Sequence, residues 1–121
     1  MKSRTVPHVF LPTLAWILAI VFSSSALAQE ISASNTSRFL GQGRWEWTVY
    51  INASPQVLRR IDCVEYTLHH TFPRPVQTIC NIGDPSRPFG LTATGWGTFR
   101  IRIRVFMQDG EYEDLTHDLK F

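Results

Sequence analysis

Two short stretches of the sequence bring together aromatic, imidazole and hydroxyl side chains, the groups that bind small polar ligands. They are residues 68–75 and 95–99, and each lies at the end of a predicted β-strand. Loops at the ends of strands commonly hold the binding sites of small β proteins. We therefore expect the two loops to meet and to form a small aromatic slot.

The side chains of these loops suit a planar, neutral ligand. Phe72 and Trp96 supply flat π faces, and Thr71 supplies a hydroxyl group. Gly95 and Gly97 leave backbone that a ligand can approach closely. This combination predicts a slot for an amide or acylamide group.

Some of these aromatic residues could serve the hydrophobic core instead. Phe99 begins the inward row of its predicted strand, so a core role and a site role are equally expected for it. Trp96 lies between two glycines in a loop, which favours a binding role over a core role.

The remaining polar residues do not indicate a catalytic or metal site. His69 and His70 are adjacent near a strand end, so they point to opposite faces and cannot jointly hold one metal ion in the usual way. His117 is far from both in sequence, and a pair of Cys63 with His69 is excluded if Cys63 forms a disulfide. We predict a binding protein rather than an enzyme, with no cofactor and no metal.

The two cysteines, Cys63 and Cys80, are predicted to form a disulfide. If the chain reverses direction about Phe72, the two residues lie opposite each other on antiparallel strands, at a separation that a disulfide can span. Zinc binding is the alternative, but two cysteines and the scattered histidines match no recognised ligand spacing.

Residues 1–28 have the pattern of a secretory signal peptide. Lys2 and Arg4 precede an apolar run at residues 9–22, and Ala26-Leu27-Ala28 provides a cleavage site. An uncleaved anchor is the alternative, but the apolar run is shorter than the roughly 20 residues of a membrane-spanning helix. Cleavage would leave residues 29–121 secreted or periplasmic, with no membrane span.

The charge of the remaining chain argues against a nucleic-acid partner. The whole sequence has 12 Lys and Arg residues against 10 Asp and Glu residues. Lys2 and Arg4 account for the difference, so residues 29–121 are neutral overall. A neutral chain lacks the basic excess that nucleic-acid binding requires.

Alternating apolar residues predict an all-β chain with no helical segment after residue 28. Strands are expected at residues 45–51, 61–69, 76–82, 89–94 and 99–107, and a last strand follows the hairpin signal Asp109-Gly110. The last strand should direct Leu115, Leu119 and Phe121 inward. These elements predict a single-domain, antiparallel β-sandwich at residues 45–121, preceded by a flexible segment or weak edge strand at residues 29–44.

The register of the last hairpin follows from a three-residue turn at residues 109–111. That turn pairs Ile101 with Leu119 and Arg102 with Asp118. Apolar residues then lie opposite apolar residues on one face, and charged residues lie opposite charged residues on the other. The alternating arginines of this strand are expected to form a solvated face with cross-strand charge pairs.

Three motifs resemble the YEATS domain family, and in particular its prokaryotic branch. They are Trp-x-Val-Tyr at residues 47–50, Leu-His-x-Thr-Phe at residues 68–72 and Gly-Trp-Gly-x-Phe at residues 95–99. The resemblance implies an immunoglobulin-like sandwich. Eukaryotic members read acetylated or crotonylated lysine on histone tails, which implies an acylamide ligand.

The resemblance also implies roles for individual residues. The Thr71 hydroxyl and the backbone N–H of Trp96 would bind the amide, and Phe72 and Trp96 would enclose it between aromatic rings. His69 would position the site from below, and Phe99 would close its base. The acyl-lysine readers have an aromatic residue just upstream of the first predicted strand, where this sequence has Gly43. Phe39 is the candidate to take the place of that aromatic residue.

Two functions remain open from the sequence. The first is a non-catalytic module that recognises an acylated lysine, or a similar planar group, on a peptide or an envelope protein. The alternative is a structural β-sandwich of the cell envelope that binds a protein partner without binding acyl-lysine.

Overall fold

The computed structural model describes residues 30–121, and the predicted signal peptide lies outside these residues. The described chain forms two antiparallel sheets with one turn of helix between two of the strands. In chain order the elements are β1 Ser32–Gly41, β2 Arg44–Asn52, α1 Pro55–Leu58, β3 Ile61–Thr67, β4 Val76–Ile79, β5 Leu91–Gly95, β6 Arg100–Met107 and β7 Tyr112–Asp118.

The two sheets pack face to face, which confirms the predicted immunoglobulin-like β-sandwich. One sheet has the order β1-β2-β5 and the other has the order β4-β3-β6-β7. The core lies between them because alternate residues of the central strands point inward. Its fully enclosed side chains include Trp47, Val49, Ile51, Val64, Tyr66, Ile101 and Val105.

Strand β1 corrects the prediction of a flexible segment at residues 29–44. Ser32–Gly41 pairs with β2 along its length. Of the two predictions for this segment, the weak edge strand is therefore the correct one. The hairpin between β1 and β2 turns through Gly41, Gln42 and Gly43, whose φ angles are all positive. The sequence signal is weak because β1 is an edge strand with polar residues on both of its faces.

The β3–β4 hairpin confirms the predicted reversal of the chain about Phe72. Val64 lies opposite Ile79 and Thr67 lies opposite Val76. The same register brings Cys63 and Cys80 together, and they form the predicted disulfide. Strand β4 ends at Ile79, so the prediction of a strand to residue 82 is too long.

The β6–β7 hairpin corrects the predicted register by two residues. Ile101 lies opposite His117, and Arg100 rather than Arg102 lies opposite Asp118. The turn is centred one residue earlier than predicted, since the Met107 N–H donates to the Glu111 carbonyl at 2.8 Å. A shift of two residues keeps each side chain on its predicted face, which is why the polarity pattern could not reveal the error.

The faces of β6 and β7 agree with the prediction except at the end of the chain. Leu119 is buried and Leu115 is partly buried, whereas Phe121 is 38% exposed and was wrongly predicted to point inward. The arginine face is solvated and paired, with Arg100 bound to Asp118 at 2.8 Å and Arg104 bound to Asp114 at 2.7 Å.

A short helix interrupts the all-β pattern where the sequence predicted only a strand break. The Ser54 side chain caps α1 by accepting from the Val57 N–H at 3.2 Å, and Pro55 occupies the first turn. The turn of helix buries Val57 against the sandwich. Within residues 30–121 no helix is long and apolar enough to span a bilayer.

Candidate functional site

A cavity of about 450 Å³ opens at one end of the sandwich, between the loop after β3 and the loop after β5. All seven residues predicted to bind a ligand line it. The complete lining is His69, Thr71, Phe72, Pro73, Thr94, Gly95, Trp96, Gly97, Thr98 and Phe99. The expected meeting of the two loops is therefore observed, whereas ligand binding by these residues stays a prediction.

The first loop is held by the ends of β3 and β4. The Leu68 N–H donates to the Pro75 carbonyl at 2.7 Å, which extends the β3–β4 ladder up to the loop. Inside the loop the Phe72 N–H donates to the His69 carbonyl at 3.1 Å and makes a tight turn. The buried side chain of Leu68 anchors this turn to the core, so the loop presents Thr71 and Phe72 from a fixed base.

Phe72 and Phe99 line the cavity, and Trp47 packs against both rings from the core. The ring of Phe72 lies 5.6 Å from that of Phe99, and Trp47 meets them edge-on at centroid distances of 6.1 and 5.9 Å. Trp47 is 1% exposed, and its Nε1 has no hydrogen-bond partner among the described residues. Phe72 and Phe99 therefore belong both to the edge of the core and to the cavity, so the two roles considered for Phe99 are compatible.

The second loop presents Trp96 to solvent. Its side chain is 80% exposed, which excludes the alternative that Trp96 is a core residue. Trp96 stacks on none of the aromatic rings in the part of the chain that the structure describes, so its indole face is free to receive a ligand. A Cβ placed on Gly97 would meet no atom within 4 Å, which leaves the backbone beside Trp96 accessible.

Thr71 and His69 form a hydrogen-bonded pair at the rim of the cavity. The Thr71 Oγ1 lies 2.8 Å from the His69 Nδ1, and the Thr71 backbone N–H also points to this nitrogen at 3.3 Å. Because the backbone N–H can only donate, Nδ1 accepts and the histidine carries its proton on Nε2. The hydroxyl proton is then directed to Nδ1, which leaves the oxygen lone pairs of Thr71 free as acceptors.

The cavity lining contains one imidazole, that of His69, and no other acidic or basic side chain. Its residues include neither a carboxylate nor a lysine or arginine. Among residues 30–121 there is also no cluster of three potential metal ligands. A cavity with aromatic walls and a few fixed polar groups suits a flat, uncharged ligand group.

Three further residues line the cavity that the sequence did not predict, and Phe39 is not among the lining residues. Pro73, Thr94 and Thr98 line the cavity because they flank the predicted motifs on the same loops. Phe39 is not in the lining, since it packs against Trp45 at a centroid distance of 5.1 Å. The cavity lining therefore does not support Phe39 as the substitute for the aromatic residue that is absent at position 43.

Comparison with known proteins gives consistent results for sequence and structure. Residues 45–120 match the family model of the prokaryotic YEATS domain. The protein AF-9 homolog of Candida glabrata is 28% identical over 99 residues, which cover 73% of this chain and 42% of that protein. This chain therefore spans about two fifths of the length of that relative.

Solved structures of the Yaf9 YEATS domain share the fold. The domain bound to H3K27ac superimposes with a TM-score of 0.61 at 29% identity, over 75% of this chain and 70% of that one. The domain recognizing an H3K122suc peptide gives a TM-score of 0.59 at 30% identity, with the same coverage of both chains. With the fold, the two loop motifs and the family match in agreement, the chain belongs to the prokaryotic YEATS domain family.

Proposed function

We propose that this protein is a non-catalytic reader that binds an acylated lysine, or a similar planar acylamide, in the cavity between its two aromatic loops. The observation that carries the proposal is the Thr71–His69 pair beside an open aromatic wall. A hydroxyl oxygen with its proton directed to His69 is an acceptor for the N–H of an amide. Lysine loses its charge and gains such an amide when it is acylated.

The remaining polar contact comes from the second loop. The backbone N–H of Trp96 donates to the acyl oxygen, while the rings of Phe72 and Trp96 cover the two faces of the planar group. Aromatic faces contribute about 0.5–1.5 kcal/mol beyond their buried area in favourable pairs. The charged ammonium of unmodified lysine has no carboxylate to meet in this lining, so it binds poorly.

The relatives support this assignment for the ligand class. Yaf9 YEATS domains were solved with H3K27ac and with an H3K122suc peptide, and both share the fold of this chain. The signal-peptide pattern of residues 1–28 supports a secreted or periplasmic protein, whose ligand would be an acylated peptide or an envelope protein. No step of this function requires a cofactor.

The proposal is tested by calorimetric titration with short peptides that carry one acetylated, crotonylated or unmodified lysine. We expect saturable binding of the acylated peptides only. The variant Thr71→Val keeps the shape of the side chain and removes the acceptor, so affinity should fall about three- to tenfold. Thr98→Val is the matched control, because Thr98 lines the same cavity but its hydroxyl, unlike that of Thr71, has no hydrogen-bond partner among residues 30–121.

Two results would contradict the proposal. Equal binding of acylated and unmodified peptides would show that the cavity does not read acylation. An equal loss from the Thr71 and Thr98 variants would show that the Thr71–His69 pair has no special role.

A second candidate is a protein-binding sandwich without acyl-lysine recognition. The exposed aromatic residues Phe39 and Phe121, on either side of Trp45 near the cavity end, favour a protein partner. A protein that captures an envelope partner but ignores all acylated peptides would support this candidate.

A further inference from the structure

Within residues 30–121 the two sheets have four edge strands, and three of these edges are protected. Unpaired edges are usually blunted by charge, proline, shortness or a covering segment, because they otherwise pair with other chains. Strands β1 and β7 are linked to each other: the Asn35 side chain bonds Lys120 through both its amide and carbonyl groups and accepts from His117 Nε2 at 2.7 Å. Strand β4 has four residues, with Pro75 before it and the disulfide of Cys80 after it.

Strand β5 is the exception. Its sequence Leu91–Gly95 contains no charged residue and no proline, and its pairing with β2 has no bulge. Within residues 30–121, β2 is its only strand partner. The outward N–H and C=O groups of β5 are therefore available to an extended chain.

The position of β5 connects this open edge to the cavity. The strand runs directly into the loop that carries Trp96, and its last two residues, Thr94 and Gly95, line the cavity. Strand β4, which follows the Phe72 loop, is the edge of the facing sheet. Both loops of the cavity thus adjoin edge strands, and β5 is the edge without a protecting feature.

We infer that an extended peptide docks on the β5 edge as an added strand and so delivers its acylated lysine into the cavity. This inference rests on the proposed function and specifies how the peptide that carries the lysine is held. The peptide backbone exchanges hydrogen bonds with β5, and its lysine lies where the edge meets Gly95. Main-chain pairing makes no demand on side-chain identity, so recognition tolerates varied sequences around the lysine.

The first test compares amide hydrogen exchange of the protein, measured by NMR, with and without a ten-residue peptide that contains one acetylated lysine. Every second amide of residues 91–95 faces the free edge, and these amides should become protected when the peptide binds. The single amino acid Nε-acetyl-lysine, blocked at both termini, fills the cavity without a chain to pair. It should bind about tenfold more weakly and leave the β5 amides unprotected.

A second test uses peptides with one backbone N-methyl group at either of two neighbouring positions beside the lysine. In an added strand, alternate amides face β5 and face away from it. One N-methyl peptide should therefore lose about tenfold in affinity while its neighbour binds normally. Equal affinities for both would overturn the inference.

The outcomes separate this inference from the proposed function. Binding of acetylated peptide without protection of β5 overturns the inference and leaves the proposed function standing. Failure of both the peptide and the blocked amino acid to bind contradicts the proposed function itself. Protection of β5 in the peptide-free protein that rises with protein concentration would show a second copy on this edge, and would also overturn the inference.

Discussion

At the scale of single residues, the direction of one hydroxyl proton determines whether Thr71 can accept a hydrogen bond from an amide. The His69 Nδ1 accepts from both the hydroxyl and the backbone N–H of Thr71, which turns Thr71 Oγ1 into an acceptor toward the cavity. The family resemblance implied that Thr71 binds the amide and that His69 positions the site, but it did not say which of the two side chains donates to the other. Their roles depend on side-chain rotamers, which no sequence pattern specifies.

Trp96 provides the clearest residue-scale prediction. Trp96→Ala should abolish binding of acylated peptide and change the melting temperature very little, because the side chain is 80% exposed and supports little of the core. Trp96→Phe keeps a flat ring and the backbone N–H, and it should retain most of the affinity. Calorimetry and thermal unfolding of both variants provide the measurements. A large loss of stability in Trp96→Ala would mean that the indole holds the loop in place, and would remove its assigned role as an exposed wall.

At the scale of elements, the β3–β4 hairpin holds the loop that carries Thr71 and Phe72. Its register was predictable because three features of the sequence place the chain reversal at the same point, near Phe72. These features are the positions of Cys63 and Cys80, the prolines that end the strand, and the alternation of β3. The β6–β7 register was not predictable to within two residues, because a shift of that size preserves every buried and exposed position. The hydrogen bond from the Met107 N–H to Glu111 determines it instead.

The disulfide of this hairpin should contribute substantially to stability. It joins residues 17 apart in sequence, for which the chain-entropy model gives about 3 kcal/mol. The double variant Cys63→Ser with Cys80→Ser should lower the free energy of unfolding by about this amount in denaturant titrations. Wild-type protein under reducing conditions serves as the control, and it should lose a similar amount. Unchanged stability in both cases would show that the β3–β4 ladder alone fixes the loop.

The link between β1 and β7 predicts a dependence of stability on pH. Burial lowers the pKa of His117, and nearby Lys120 lowers it further, whereas Asp118 opposes the shift. The unfolded chain therefore takes up a proton at a higher pH than the folded one. The stabilising contribution is present above the ordinary histidine pKa of about 6.5, and it is lost as the pH falls through the lowered value.

The pH dependence can be assigned to His117 with one variant. Between pH 7.5 and pH 5 the free energy of unfolding should decline in the wild type and decline less in His117→Gln, whose amide can still donate to Asn35. Denaturant titrations at several pH values provide the measurement. Identical slopes in the two proteins would mean that His117 does not carry the effect.

At the scale of the whole molecule, the core, the linked strand edges and the cavity lie in different parts of the sandwich. The core lies between the sheets, one pair of edges is linked through Asn35, and the cavity opens at one end beside the unprotected β5 edge. The fold class and the meeting of the two loops followed from the sequence, since strong alternation and turn residues specify both. The extent of the sandwich did not, because the polar strand β1 gains its order from pairing with β2 rather than from its own pattern.

The central claim is that the cavity between the two loops binds an acylated lysine. It is tested most directly by following the indole resonances of nitrogen-15-labelled protein by NMR during titration with acetylated and unmodified peptides. Trp96 lies in the cavity wall, whereas Trp45 is stacked on Phe121 outside the cavity and serves as an internal reference. We expect a saturable shift of the Trp96 indole with the acetylated peptide alone, and little change at Trp45. Equal shifts with both peptides, or a shift at Trp45 while Trp96 stays constant, would contradict it.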